Sequence, residues 1–483
     1  VLNVSEREVL ERMVSDNPWW ESGGVAAFYD DLGRRDYFQE FYRLLAVSSV
    51  RRAVVLMGPR RVGKTVMLFQ AVAELLRAGQ DPTRILYVSV DMPLFQGMPL
   101  ESLMRLFMER NGIDRQERMV VFFDEIQYLP DWERHLKSLM DTYLHARVAV
   151  SGSAAAALKL KSDESGAGRF TDYLLPPLTF AEYLALVGRE AELIREEETQ
   201  QQELPKYSVR DMAGLNAEFL NYLNYGGYPE AVADPEVRGD PARFIKRDIV
   251  DKVLLRDLPS LYGIQDIQEL NRLLNTVVYN SGNVLSLDQL SNSSGVSKDT
   301  IRKYLEYLEA AFLIRKVRRM DEHGRWFQRE RSFKVYLTNP SLRAALFSPV
   351  RDGDEAMGLL TETAIFSQWF HCREELAYAR WKTGEVDLVH LDPLGAPRWA
   401  LEVKWTDRYY DSPGELKALL TFARNVLRAE DSSVTVTTKT RSGRKSVQGR
   451  RIDFVPASLY CYAVGKNLLQ WANRGMGENE NGE

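Results

Sequence analysis

From residue 51 the chain breaks into short apolar runs, each ending at polar or glycine residues, and these runs set the first prediction. RRAVVLMGPRRVGKTVMLFQAVAEL reads as a buried strand, a glycine-bearing loop and a helix. ILYVSVDM (85–92), MVVFFDEIQYL (119–129), ARVAVSGSAAAAL (146–158) and TDYLLPPLTFAEYL (171–184) add four more strands with helical segments between them. Five such strands predict a parallel α/β sheet whose ligand lies at the carboxyl ends of the strands.

Beyond this the pattern changes. From about Arg189 to Met212 the chain is polar and rich in Gln and Glu, which predicts an exposed helical extension or hinge. Residues 216–232 and 242–264 have helical periodicity, the second ending near Pro259. Arg247 and Arg256 fall in the second of these, where surface salt bridging is one use for each. NVLSLDQLSNSSGVSKDTIRKYLEYLEAAFLIRKVRRM (283–320) reads as helix, turn, helix, strand, with Ser297 capping the second helix. Ile301, Tyr304, Leu305, Leu308 and Phe312 fall on one stripe of that helix, leaving Lys298, Arg302 and Lys303 outward. A β-hairpin follows, with DEHG at its tip and Arg315, Lys316, Arg318, Arg319, Arg325, Arg329 and Arg331 on its arms. A helix at 356–372, two strands joined by a turn within 376–411, a helix at 414–424 and a strand at 432–440 complete the pattern, and the terminal NRGMGENENGE predicts disorder.

The candidate chemistry begins with GPRRVGKT (58–65), which fits the phosphate-loop pattern in full. Gly58 and Gly63 let backbone N–H groups turn inward, and Pro59, Arg60, Arg61 and Val62 complete the cradle. Lys64 would reach the β and γ oxygens of ATP, and Thr65 would ligate Mg²⁺ at a helix N-terminus that favours anions. A phosphate loop alone does not separate kinase, GTPase and ATPase. The acid pair ending the 119–129 run adds the missing part: Asp124 would hold the Mg²⁺ shell and Glu125 would polarise the attacking water. Ser151 and Ser153 would either sense the γ-phosphate or form a turn. Arg169, after a Ser/Gly segment, would either stabilise the transferring phosphate, in cis or from a neighbouring subunit, or be a solvated loop arginine.

A second constellation lies near the end, in EVDLVHLDPLGAPRWALEVK (385–404). Alternation along a strand puts Glu402 and Lys404 on one face, Asp387 lies across the turn, and Glu362 belongs to the preceding helix. This is the residue set of the PD-(D/E)xK nuclease fold, although no proline precedes Asp387. Asp387 and Glu402 would hold one or two Mg²⁺ or Mn²⁺ ions, Glu362 would complete the metal site, and Lys404 would position water or stabilise charge on the phosphate. Salt bridges between Lys404 and a neighbouring acid would hold the same residues together without chemistry.

Composition narrows the partners. A chain of 483 residues predicts two to four domains, and its formal net charge of −5 means that no whole-molecule positive field draws it to nucleic acid. Local basic clusters remain, in the hairpin and in TRSGRKSVQGRR (440–451), which holds Arg444 and Lys445. A basic helix face followed by a basic hairpin suits phosphate contacts rather than sequence reading, and solvated or internally packed faces are the alternative. No run approaches the roughly 18 apolar residues of a membrane span. The first 20 residues are amphipathic and acidic rather than signal-like, and Cys372 and Cys461 are too few for a disulfide framework. A soluble, cytoplasmic protein is the expectation, with no membrane partner, and with a homo-oligomer or a protein partner left open.

Taken in order, GPRRVGKT, FFDEIQYLPDWERHLKSL, VSGSAAAAL, GRF, LLPPLTFAEYL and YLNYGGYPEAV resemble the bacterial and archaeal AAA+-type ATPases related to the STAND class, over about Asn17 to about Tyr462. The resemblance implies a multi-domain α/β protein. It places an ATPase core at 1–188, a linker and helical lid at 189–282, a winged helix at 283–340, a PD-(D/E)xK nuclease-like domain at 341–472 and a tail at 473–483. The activity it implies is ATP hydrolysis; the function expected from all the residues together is an ATP-driven, DNA-acting protein whose last domain cuts DNA, with defence or mobile-element processing as a setting by analogy. Its rivals are a STAND-like nucleotide switch that binds partners without cleavage, and a winged-helix regulator gated by ATP.

Overall fold

The computed structural model describes residues 5–153, 168–197, 205–327, 332–370, 375–392, 394–427 and 434–477. The chain divides into two compact units, Val1–Leu175 and Pro176–Glu483.

In the first unit the five apolar runs become β1 (Ala53–Met57), β2 (Ile85–Ser89), β3 (Met119–Asp124), β4 (Ala146–Gly152) and β5 (Phe170–Leu174). They form one parallel sheet in the order β2-β3-β4-β1-β5. The inner strands are covered on both faces, which is why they read as continuous apolar runs rather than alternating ones. Because β4 lies between β1 and β3, the ends of all three meet at one sheet edge. The outer strand β2 is shielded by the N-terminal segment. Asn17 exchanges two hydrogen bonds with the Tyr87 backbone, at 2.8 and 2.6 Å, as a neighbouring strand would, and Trp19 Nε1 donates to the Ile85 carbonyl at 3.0 Å. The preceding helix, Glu6–Asp16, starts at a capping box between Ser5 and Glu8.

In the second unit, the polar stretch expected as a helical extension or hinge instead contributes an antiparallel ribbon of Ile194–Glu197 with Lys206–Val209; residues 198–204 lie outside the described ones. The 242–264 segment stays helical past Pro259 and stops at Gly263, whose φ of 63° suits glycine. Pro259 falls in the first turn of the last helical piece, Leu258–Tyr262, where its missing N–H does no harm.

The rest of this unit is built on a nine-stranded sheet. α1 (Ile267–Tyr279), β6 (Val284–Leu285), α2 (Leu287–Ser294) and α3 (Lys298–Ala310) lead into β7 (Ile314–Met320) and β8 (Phe333–Leu337). Ser286 and Ser297 cap α2 and α3, and Gly295 ends α2 in the left-handed region. β8 pairs antiparallel with both β6 and β7. After α4 (Met357–Trp369) come β9 (Leu376–Trp381), β10 (Gly384–Leu391) and β11 (Pro397–Glu402), an antiparallel set. α5 (Lys417–Val426) crosses over to β12 (Val434–Thr438), parallel to β11, and β13 (Gly443–Val447) and β14 (Arg450–Pro456) precede α6 (Ala457–Gly477).

The strand order is β13-β14-β12-β11-β10-β9-β7-β8-β6. Its junction is a parallel pairing of β7 with β9, with Ala377 opposite Arg318 and Ala379 opposite Met320. The expected hairpin is therefore not a free projection: both arms are interior strands of the sheet, and the expected boundary at 340 falls between strands of that sheet. Arg329 and Arg331 lie outside the described residues, as do Cys372 and the last six residues of the expected tail; helix α6 runs through the first part of that tail.

Apolar side chains fill both faces of this sheet. Phe180, Tyr183, Phe219 and Tyr222 join Ile365 and Phe366 of α4 on one, and Leu419, Phe422 and Ala423 of α5 join Val386, Val389 and Ala400 on the other. Helix α4 is buried all round from Leu360 to Trp369, which explains why its sequence lacks a polar stripe.

Candidate functional site

The phosphate loop joins β1 to a helix that starts at Lys64 and runs to Arg77. Gly58 has no room for a side chain, since a Cβ there would stand 2.1 Å from the carbonyl oxygen of Leu175. Gly63 at φ 96° and Arg61 at φ 63° turn the loop through the left-handed region. Val62 is buried, its carbonyl accepts from Arg35 at 2.8 Å, and Arg60 donates to the Tyr128 hydroxyl at 3.0 Å. Lys64 Nζ donates to the carbonyls of Gly58 and Pro59 at 3.0 and 2.9 Å, which places its ammonium inside the curve of the loop.

Asp124 is the hub of this edge. Its Oδ2 accepts from Thr65 Oγ1 at 2.7 Å and from the Tyr87 hydroxyl at 2.9 Å, and its Oδ1 accepts from the Ser151 hydroxyl. The Thr65 contact brings together the two groups expected to share Mg²⁺, and an acidic oxygen beside a helix N-terminal hydroxyl is a donor set that suits that ion. Burial and the Asp124 carboxylate push the Tyr87 hydroxyl far above its ordinary range, so it stays a donor. Glu125 follows in the left-handed region at φ 55°, and Gln127 Nε2 donates to its carboxylate. Burial raises the Glu125 carboxyl, opposed by Lys64 and reinforced by Asp124. Ser153 approaches the same network through its backbone N–H, 3.0 Å from Gln127 Oε1. Thus Ser151 positions Asp124, a use its sequence context did not reveal, and Gln127, Tyr87 and Arg35 are site residues that sequence reasoning missed.

Arg169 is elsewhere. It immediately precedes β5, its carbonyl accepts from the Ala53 N–H at the start of β1, and its guanidinium pairs with Asp141 at 2.9 Å. The phosphate loop leaves the far end of β1, so a role in cis is excluded by the length of the strand. Arg247 and Arg256, expected on the lid, are both exposed.

The residues of the second constellation lie near one another, together with others. Leu388 opposes Leu401 across β10 and β11, which sets Asp387 beside Glu402. Lys404 Nζ lies 2.8 Å from Glu402 Oε1 and 3.6 Å from Asp387 Oδ2, and Asp387 Oδ2 accepts from the Val403 N–H at 2.8 Å. Glu362 reaches the group from α4, but its Oε1 is taken by Lys334 Nζ at 2.8 Å and by the Tyr336 hydroxyl. Lys334 also lies 2.7 Å from Glu385 Oε1. Burial, then repulsion from Asp387, pushes the Glu402 carboxyl up to about 8. Burial likewise pushes Glu362 up to about 7, with Lys334 opposing and Asp387 assisting.

The expected three-carboxylate metal set is not assembled: among the described residues no group of three or more His, Cys, Asp or Glu is disposed to hold a metal ion. Ammonium groups stand between the acids instead. A smaller donor set does suit one cation, because Glu402 Oε2 is buried with no hydrogen-bond partner beside Asp387. Lys334, Tyr336 and Glu385 were missed by the sequence reading. Glu385 shares a strand face with Asp387, and Lys334 is a lone cation in the wholly buried run FKVYL.

The basic residues are largely engaged within the chain. Lys298 pairs with Asp288, Arg302 with Asp299 at 2.6 Å, and Arg444 with Asp453 at 2.6 Å. Arg318 lies 4.3 Å over the Trp326 ring and Arg319 4.3 Å over Phe327, while Lys445 lies 4.0 Å over Tyr410. Lys303 and Arg325 are exposed. None of the described helices is long and apolar enough to cross a membrane.

Comparison with known proteins agrees with the first of these sites. Residues 50–184 match the family model described as an AAA domain, and residues 216–352 match one described as a domain of unknown function. An uncharacterized protein of Haemophilus influenzae is 24% identical over 319 residues, covering 65% of this chain and 72% of that protein. Uncharacterized protein MJ1637 of Methanocaldococcus jannaschii is 25% identical over 360 residues, covering 71% and 73%, and MJ1544 of the same organism is 26% identical over 267 residues, covering 54% and 55%. A domain of the AAA type binds ATP, usually with Mg²⁺. With its phosphate loop, its acid strand and the Thr65–Asp124 contact in place, the chain carries an AAA-type P-loop ATPase domain over residues 50–184.

Proposed function

We propose that the chain couples ATP hydrolysis in its first unit to metal-dependent cleavage of DNA by a PD-(D/E)xK nuclease-like site in its second. The observation that carries the nuclease reading is the meeting of Asp387 inside β10, Glu402 at the end of β11 and Lys404 just beyond it, with Lys404 2.8 Å from Glu402 and 3.6 Å from Asp387. Asp387 and Glu402 would hold the cation, which supplies water activation and charge neutralisation at the scissile phosphate. Lys404 orients the water and faces the developing charge. In the ATPase unit, Thr65 and Asp124 hold the Mg²⁺ shell, Lys64 draws charge from the transferring phosphate, and Glu125 polarises the attacking water.

The order α1, β6, α2, α3, β7, β8 supports a winged-helix reading for the middle of the chain, with Arg302, Lys303 and Lys298 on the outer face of α3 and Arg325 beside the hairpin tip. On this reading Arg318, Arg319, Arg444 and Lys445 reach phosphates by leaving their present aromatic and acidic partners. Those intramolecular partners are also the observation that favours the second reading, a STAND-like nucleotide switch in which this unit binds partners without cutting. Arg169 keeps a role only in trans, in a homo-oligomer.

The deciding experiment is cleavage of linear and supercoiled DNA with Mg²⁺ or Mn²⁺, with and without ATP. Cutting by the wild type that falls by at least ~100-fold in Lys404→Ala is the expected outcome. Absence of cutting under every condition, with ATP hydrolysis intact, selects the switch.

A further inference from the structure

Lys334 has no part in the reading above, yet it is the most deeply buried cation of the second site, its side chain 2% exposed. It comes from β8, three strand spacings from β10, a distance of about 14 Å in a flat sheet. Long side chains and sheet twist close that distance. Its Nζ lies 2.8 Å from Glu362 Oε1, 2.7 Å from Glu385 Oε1 and 3.8 Å from Asp387 Oδ1. A buried ammonium persists only where it is paired, and here the pairing draws on α4 and β10 together.

The two lysines of the site differ in a way that matters. Lys404 lies two residues beyond the end of β11, is 24% exposed, and spans the gap between Asp387 and Glu402. Its ammonium is held by Glu402 Oε1 and the Val403 carbonyl while part of the side chain meets solvent. Lys334 lies inside a strand hydrogen-bonded on both sides, opposite Val317 and Val284, with Tyr378 5.4 Å from its ammonium. It has nowhere to go. The acids thus alternate with one wholly buried and one partly exposed cation, and the unpartnered Glu402 Oε2 lies beside the partly exposed one.

We propose that Lys334 is a built-in cation of this site, standing where a second divalent ion would otherwise be held by Glu362 and Asp387, so that the site takes one Mg²⁺ or Mn²⁺, between Asp387 and Glu402. The inference rests on the metal-dependent reading above and adds the stoichiometry and the residue that sets it. Lys334 acts as a positioning residue: it fixes Glu362, Glu385 and one oxygen of Asp387 without an ion and keeps the site's charge low enough to remain buried.

The test is Mn²⁺ binding to the full-length, nucleotide-free protein, followed by calorimetry and by the electron paramagnetic resonance spectrum, with Glu402→Gln defining the background. One Mn²⁺ per chain that is lost in Glu402→Gln, with a single-ion spectrum, is expected for the wild type. Lys334→Met is expected to bind two, with the spectrum of a coupled pair, which a purely structural role would not produce. Two ions in the wild type, or one uncoupled ion in Lys334→Met, overturns the role of Lys334 and leaves the metal reading standing. No ion above background in the wild type overturns the metal reading and this inference with it. Should Lys334→Met fail to fold, the wild-type stoichiometry still decides, with Lys334→Arg expected to keep one ion.

Discussion

Glu362 and Glu402 show how much a neighbour decides the state of a side chain. Each is a carboxyl whose ordinary value is 4.5, and each is lifted by burial first, to about 7 and about 8. Between those values and 4.5 the folded chain holds protons that the unfolded chain has released. Stability therefore falls as pH rises across that interval: the contribution is fully present below about 4.5 and lost through about 7 to about 8. In metal-free protein the urea midpoint is expected to be lower at pH ~9 than at pH ~6, and Glu402→Gln to shrink the difference, because a neutral amide has no proton to lose. A midpoint that does not move between the two, or the same drop in the variant, would count against the assigned burial. Legibility differs from residue to residue. Gly58 and Lys64 stand in a pattern whose spacing is itself the chemistry. Lys334 and Ser151 acquire their roles only from what folds against them.

At the scale of the element, the informative case is the hairpin of β7 and β8. Its sequence, basic arms around a turn, is that of a projecting wing, and its strands form as expected. The parallel pairing of β7 with β9 is a contact across more than fifty residues, so no local pattern announces it. Its consequence is measurable. A fragment of residues 341–483 would carry β9 without its partner β7 and Glu362 without Lys334, leaving an unpaired edge and an uncompensated buried acid. That fragment is expected to be insoluble or molten by near-UV circular dichroism, whereas residues 176–483 give a cooperative unfolding transition. Cooperative unfolding of 341–483 alone would contradict the sheet's continuity. The 189–212 segment teaches the complementary lesson. Composition announced exposure correctly for Glu196, Glu197 and Lys206, but the apolar residues of the ribbon they lie in, Ile194, Tyr207 and Val209, are too few and too short a run to reveal the pairing.

For the whole molecule, the compact division after Leu175 predicts that residues 1–175 fold alone and bind ATP, with binding lost in Lys64→Ala by equilibrium titration. Failure of that fragment to fold would show that its core needs the rest of the chain. The sequence by itself determined the nucleotide chemistry, the five strands of the first sheet and the strand that ends at Glu402 in the second, because each is carried by residue types at short, fixed spacings. Tertiary structure alone decided which strands became neighbours, and with that the exclusion of Arg169 in cis, the internal partners of the basic residues and the entry of Lys334 among the acids. The physical reason is that strand pairing and the burial of charge are settled between residues far apart in the chain, where the energy of a side chain depends on the groups that surround it.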